Sequence, residues 1–302
     1  MKWKKLAEDI RRQKIGVMAV QETHLSEGHV RDIEQFHPHL VVFNTELPSN
    51  PTGAGGVALV FNKYTTNYES VRTEVVIPGR VLFAKFEWHK GTWLRVLAVY
   101  ASTDRTANHN MWEEIRTKLS AGGWALGLPD IVLGDFNFVE DPIDRFPAEL
   151  CKMDNPAVFG NLRRLLKLKD GWRSVNSGST EWTWRDASRA HLSRLDRIYL
   201  MDKLLARSRD WDKKLLVLLP PLGQRKSASA SLCLLLLALP VPQGVQVVHL
   251  DLPGALWPSL GSPGWSQIWW PATACPASTG PQSLFWPPSW PPTLLWQPSP
   301  PF

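Results

Sequence analysis

Cysteine is scarce in this chain. There are three in 302 residues, Cys151, Cys233 and Cys275, an odd number without paired spacing, which argues against a disulfide framework and a cysteine-built zinc site. Long apolar runs are also missing. The longest, 232–239, has eight residues, where a membrane span needs roughly 20. Met1 is followed by Lys2, Lys4 and Lys5 with no apolar core behind them, so no secretory signal is read and a soluble, intracellular chain is expected. The third shortage is local. Past about residue 215 the only charged residues are Arg225, Lys226 and Asp251, although the whole chain has 34 Lys+Arg and 28 Asp+Glu for a net charge of +6.

That loss of charge divides the chain. Residues 1–214 carry ordinary globular composition and all but one unit of the net charge. A mildly basic domain tolerates a polyanionic partner without demonstrating one. Residues 215–302 hold 17 of the 25 prolines and 7 of the 16 tryptophans. Pairs such as Pro287-Pro288 and Pro291-Pro292 interrupt any backbone ladder, and neither a period of 2 nor one of 3.6 is sustained. Disorder ordinarily accompanies many charges and few aromatics, the reverse of what stands here. The segment reads as a disordered or frameshifted tail, with a proline-rich docking tail as the alternative.

Within 1–214 the apolar pattern predicts helices over 2–13, from a Ser26 cap to about Gln35, over 107–120 and over 157–168. Strands are predicted at 17–20, 39–43, 56–62, 71–77, 80–88, 93–100, 130–134, 181–185 and 193–200. Pro78-Gly79 marks a hairpin. Strands outnumber helices and hairpins mix with crossovers, which predicts an α+β fold of packed sheets with helices outside and disfavours a doubly wound parallel sheet.

Several of these strands end on, or carry, a polar group in apolar company: Glu22 after 17–20, Tyr100 after 94–99, and Asp135 after 131–133 with Asn137 two residues on. Asp196 shares a strand face with Ile198 and Leu200, because side chains alternate. A carboxylate in such surroundings costs several kcal/mol unless paired, hydrogen-bonded or metal-bound. Three of them on strand ends could converge on one cation, and oxygen-only ligands suit Mg²⁺ or Mn²⁺. Taken singly, Glu22 could be a surface residue, Asp135 a turn residue, Tyr100 a half-buried aromatic and Asp196 an ion-pair partner of Arg194 and Arg197. His24, His29, His37 and His39 lack metal spacing and read as a solvated face. Trp88, Trp93, Trp182 and Trp184 read as sheet packing rather than base-stacking platforms.

Gln-Glu-Thr-His-Leu at 21–25, Gly-Gly-Val-Ala-Leu at 55–59, Val-Tyr-Ala-Ser at 99–102, Gly-Asp-Phe-Asn at 134–137, Glu-Trp-Thr-Trp-Arg at 181–185 and Ser-Arg-Leu-Asp-Arg-Ile-Tyr at 193–199 together resemble the endonuclease/exonuclease/phosphatase superfamily. The likeness is strongest to the apurinic/apyrimidinic-type endonuclease domain of LINE-type retrotransposons and covers roughly residues 1–212. It implies a DNase I-like α/β sandwich of two packed mixed sheets flanked by helices, here incomplete, with Mg²⁺ or Mn²⁺ as cofactor, DNA as partner, no membrane, and a nuclear location for a working retrotransposon nuclease. Position by position, the resemblance implies that Glu22 holds the metal and that Asp135 helps activate the attacking water. Asn137 steadies the phosphate oxygens and Tyr100 hydrogen-bonds the scissile phosphate. Thr183 supplies a phosphate-side hydroxyl, and Asp196 orients a catalytic histidine.

Two departures bear on activity. The family's first strand, with a Leu-x-x-Asn-type motif, is not found before the helix at 2–13. The closing Ser/Thr-Asp-His motif has no counterpart after Asp196, where the only histidines are His249 and, before it, none. The resemblance therefore implies an impaired, marginally stable nuclease, a pseudoenzyme. The alternatives are a superfamily phosphatase or phospholipid phosphodiesterase, or a non-catalytic binding protein with a Pro/Trp-rich tail.

Overall fold

The protein's structure is a computed structural model that describes residues 2–53, 55–89, 91–122, 124–148, 155–186, 188, 190–209, 211, 215–218 and 232–238. The chain opens with helix α1 (Lys2–Arg12), strand β1 (Val17–Gln21), helix α2 (Glu27–Phe36) and strands β2 (Leu40–Thr45) and β3 (Val57–Asn62). Next come β4 (Arg72–Ile77), β5 (Val81–His89), β6 (Thr92–Tyr100), helix α3 (Arg105–Ser120) and β7 (Ile131–Asp135). The remainder is β8 (Arg145–Phe146), α4 (Ala157–Leu165), β9 (Leu168–Asp170), α5 (Gly171–Val175), β10 (Trp184–Arg185), β11 (Leu192–Ser193), β12 (Asp196–Met201), α6 (Asp202–Leu205), β13 (Ser208–Arg209), β14 (Leu215–Leu218) and β15 (Leu232–Ala238).

The strands form two six-stranded sheets, in the orders β13-β14-β15-β1-β3-β2 and β4-β5-β6-β7-β12-β9, and a small sheet β10-β11-β8. Both large sheets mix parallel and antiparallel pairs: β1 runs parallel to β15 and antiparallel to β3, and β6 runs parallel to β7. The α+β sandwich expected from the strand count is the observed architecture.

Alternation explains the layering. Val17, Ala19, Leu59 and Phe61 of the first sheet face Leu82, Phe86, Val96, Leu133 and Ile198 of the second across the central core. The opposite face of the first sheet, with Met18, Val20, Ala58 and Val60, packs on Leu6 and Ile10 of α1 and Ile33 of α2. The opposite face of the second, with Phe83, Leu97 and Val132, packs on Trp112 and Ile115 of α3 and Phe159 and Leu162 of α4. β1 is thus covered on both faces, which is why 17–20 reads as one unbroken apolar run.

Boundaries follow local chemistry. Ser26 caps α2 in a reciprocal capping box with His29, as expected of the serine. Pro78-Gly79 forms the β4–β5 turn, with Arg80 N–H donating to the Ile77 carbonyl at 3.0 Å and Gly79 at φ 68°, the positive φ that a type II turn requires. The helix expected at 157–168 stops at Leu165, because Leu168–Asp170 joins the sheet edge beside β12. Strands 181–185 and 193–200 are each shorter or divided, since this part of the chain turns aside to form the small sheet. Two strands, β14 and β15, lie in the segment set apart by composition. The compact unit containing them runs Met1–Ala255. The rest of the expected tail lies outside the described residues. Among the described residues, no helix is long and apolar enough to cross a membrane.

Candidate functional site

Three strands of the second sheet bring their polar ends into one row. Asp135 at the end of β7 is the register partner of Tyr100 on β6 and of Asp196 on β12. The three share the face that carries Val96, Ala98, Ile131, Leu133 and Ile198 into the core between the sheets. The row therefore stands at the strand ends on the core side of that sheet. Glu22 comes to it from the other sheet, in the turn after β1, where the Tyr100 hydroxyl donates a short hydrogen bond to Glu22 Oε1. The four expected residues are brought together across both sheets.

The backbone here is held in unusual shapes. Glu22 and Asn137 have φ of 52° and 50°, a left-handed conformation that is infrequent for any residue but glycine and more telling for Glu than for Asn. Neighbours impose it. Thr23 N–H donates to the Gly56 carbonyl at 3.4 Å, Thr23 Oγ1 donates to Asn44 Oδ1 at 2.8 Å, and Gly56 N–H donates to the Gly79 carbonyl at 3.0 Å. A Cβ on Gly56 would run into the Thr23 hydroxyl, so the Gly55-Gly56 pair lets that loop close on the Glu22 turn. On the other side, Gly134 has φ 146° and a Cβ there would collide with the Val99 carbonyl. The glycine of Gly-Asp-Phe-Asn is what allows β7 to approach β6 beside the row.

Asn137 folds back over Asp135. Its N–H donates to Asp135 Oδ1 at 2.9 Å, and its Nδ2 donates to the Ala101 carbonyl at 2.8 Å. That leaves one amide N–H free to donate. Thr183 does not project a free hydroxyl: Oγ1 accepts from the N–H groups of Leu195 at 2.9 Å and Asp196 at 3.0 Å. It anchors the start of β12 and so sets where Asp196 stands.

Burial, then the neighbouring charges of Asp196 and Glu22, push the Asp135 carboxyl up to about 8, against the hydrogen bond from Asn137. Burial and the Glu22 contact likewise raise the Tyr100 phenol, so it stays a donor. Asp196 is almost fully enclosed, at 3% exposure.

Sequence reasoning missed the supports. Arg80 lies over the Tyr100 ring, its guanidinium 4.7 Å from the centroid. Asn108 of α3 donates from Nδ2 to the carbonyls of Ser102 at 2.8 Å and Phe136 at 3.0 Å, and accepts from Trp112 Nε1 at 2.9 Å. That asparagine joins the loops after β6 and β7, and its place on the apolar face with Met111, Trp112 and Ile115 could have revealed it. Two residues before Asp196, Arg194 enters a charge network. Arg194 Nε and Nη2 donate to Asp144 Oδ1 and Oδ2 at 2.8 and 2.9 Å, and Nη2 also donates to Asp170 Oδ2 at 2.7 Å. Arg173 pairs with Asp144 as well. Nothing short-range in the sequence links these residues.

The four histidines form no metal-ligand group, although His37, at the C-cap of α2, meets the His39 ring edge-on. His29 completes the α2 cap, His39 stacks on Tyr64, and His24 Nδ1 lies against the Gly53 carbonyl. Trp88 packs on the central core, whereas Trp93 and Trp184 are each 41% exposed, because both sit near strand ends beyond the cover of helices.

A divalent cation is implied by the resemblance. Among the described residues, no cluster of three or more His, Cys, Asp or Glu is gathered into a ligand cage. The donor chemistry fits all the same. Burial first, then the charges of Asp196 and Glu22, raise Asp135, and oxygen donors of this kind suit a hard cation, but Glu22, Asp135 and Asp196 do not close into the three-carboxylate cation site expected from the sequence.

The sequence matches the Endonuclease/Exonuclease/phosphatase family over residues 3–259, and the chain belongs to that family. Solved structures agree on the fold. An AP endonuclease from Archaeoglobus fulgidus superposes with a TM-score of 0.55 at 17% identity, over 69% of this chain and 84% of that one. The 3' phosphatase NExo from Neisseria, bound to product DNA hairpin, gives 0.53 at 17% identity, over 69% and 85%. The AP endonuclease LMAP from Leishmania major gives 0.54 at 15%, over 72% and 77%. No curated protein matches the sequence.

Proposed function

We propose that this chain is a divalent-metal-dependent phosphodiesterase of retrotransposon-endonuclease type, directed at DNA and catalytically impaired. The observation that carries the proposal is the row Tyr100–Asp135–Asp196 with Glu22 closing it from the opposite sheet. Motif wording favours a retrotransposon nuclease, and two similarly folded proteins are named as AP endonucleases and another is bound to DNA.

Each residue has a part its geometry permits. Glu22 would hold the cation, whose contribution when bound is to offset negative charge gathering on the phosphate. Asp135, with its raised proton affinity, is suited to take a proton from an attacking water. The remaining Asn137 amide N–H can donate to a phosphate oxygen, and the Tyr100 hydroxyl, whose one proton goes to Glu22, can do so only after leaving that partner. Asp196, its N–H held by Thr183, would orient a base. The histidine it would orient is what the chain does not supply: His249 is the only histidine after Asp196, follows Val248 rather than an aspartate, and lies outside the described residues.

Nicking of supercoiled plasmid by the full chain in Mg²⁺ tests the proposal, beside Glu22→Ala, Asp135→Ala and an EDTA control. The expected rate for the unmodified chain is no greater than for either variant, with DNA binding that weakens as salt rises. Metal-dependent nicking above both variants would show an intact enzyme and remove the claim of impairment. Absence of salt-sensitive DNA binding would remove DNA as the target.

A further inference from the structure

β1 is the strand whose end delivers Glu22, and it is hydrogen-bonded on both sides. On one side β3 pairs with it antiparallel, Val17 opposite Phe61 through Gln21 opposite Val57. On the other side β15 pairs with it parallel, Val17 opposite Leu234 through Gln21 opposite Ala238. β15 is held in turn by β14, with Leu215 opposite Leu235 through Leu218 opposite Leu232. Without β15, β1 would become a sheet edge with a row of unpaired N–H and C=O groups beneath the site.

The slot beside β1 makes a specific demand. Val17 and Ala19 belong to the core between the sheets, while Met18 and Val20 belong to the core under α1 and α2, and all four are buried. Strands of a parallel pair buried within a sheet are apolar at successive positions rather than alternately, as β1 is. Leu-Cys-Leu-Leu-Leu-Leu-Ala meets that demand at every position, and it is the longest uncharged apolar run in the chain. The property that made this run uninformative as sequence, its lack of a period of 2, is the property the slot requires.

We infer that Leu232–Ala238 is an integral strand of the folded unit, added in cis to β1, and that it secures the strand end on which Glu22 is carried. The segment after residue 214 is then divided: its first part completes the sheet, whatever its origin. The run of four identical leucines at 234–237 also means that a slip by one residue changes little, so register is weakly specified by side chains and is set by the β14 pairing.

Amide hydrogen exchange on the unmodified full chain, read segment by segment, tests this without reference to nuclease activity. Slow exchange is expected at 232–238, matching 17–21, in a monomer by sedimentation. Exchange at 232–238 at the rate of an unstructured peptide overturns the inference, whether or not the rest of the chain is protected. A protected segment in a stable dimer overturns the in-cis assignment and makes the strand an exchanged one. In the full chain with Leu235→Pro, which removes a donor from a central strand, exchange at 17–21 is expected to rise by at least about 10-fold while 81–89 stays slow. Leu235→Val should leave both segments as they were. Equal protection of 17–21 in the proline variant would also overturn the inference. Failure of the nuclease proposal, read by plasmid nicking, leaves all of these outcomes unchanged.

Discussion

Asp144 is enclosed by arginines, and its behaviour in acid follows from them. Burial alone would raise its carboxyl, but the Arg194 hydrogen bonds, with the charges of Arg194 and Arg197 and the Arg173 contact, overcome it and hold the group below the usual carboxylate range. A depressed carboxyl contributes stability above its unfolded value, near 3.9, and that stability is lost as pH falls through the lower folded value. Urea unfolding should therefore show stability falling below about pH 4, with a shallower fall in Asp144→Asn. That variant also leaves the nearly inaccessible Arg194 short of its bidentate partner, and a loss of about 3 kcal/mol is expected at neutral pH. Gly134→Ala tests the other tight point. With φ at 146° and the Val99 backbone in the way, relief requires β6 and β7 to separate, and a loss of about 2–4 kcal/mol is expected. A change under about 0.5 kcal/mol would mean that the two strands do not approach as described. At this scale the sequence was legible where a polar residue interrupts an apolar strand, as at Asp135 and Asp196, because alternation fixes which way the side chain points. It was illegible where partners lie far apart, as Asp144 and Arg194 do, since only the folded chain brings a turn aspartate against an arginine in the link between β11 and β12.

Among the elements, those with a full apolar period were readable and those held by their surroundings were not. α1, α3 and the strands from β1 to β7 have enough residues for period 3.6 or 2 to show. β8, β10 and β11 are each two residues long, too short for any period, and exist because Thr183 N–H bonds the Ser193 carbonyl and Arg194 N–H bonds the Asp144 carbonyl. β15 was illegible for the opposite reason: its unbroken apolar run lacks the alternation by which strands are recognised. The Ser26 cap was readable because its chemistry is local. Ser26→Ala should cost about 1 kcal/mol through loss of the capping box, seen as a lower thermal midpoint with unchanged tertiary spectra. An unchanged midpoint would mean that the hydrogen bond at 3.5 Å from His29 N–H contributes nothing in solution.

At the scale of the whole molecule, two sheets from different parts of the chain must dock before any site exists, because Glu22 belongs to one and Tyr100, Asp135 and Asp196 to the other. Family membership, strand-end carboxylates and the order of motifs were all visible in the sequence, since they follow from strands read one at a time. The supports from Arg80 and Asn108, and the joining of β15 to β1, depend on the docked sandwich. The docked arrangement sets Asp135 beside Asp196 and Glu22, where burial and then their charges raise its proton affinity. A cation placed among them would offset those charges and bind the folded state only, so it should stabilise the fold. Thermal unfolding of the full chain with and without about 10 mM Mg²⁺ or Mn²⁺, beside Glu22→Gln, measures this most directly. The proposed site predicts a higher midpoint with the cation for the unmodified chain and none for Glu22→Gln. Equal midpoints with and without the cation, or the same rise in the variant, would contradict it.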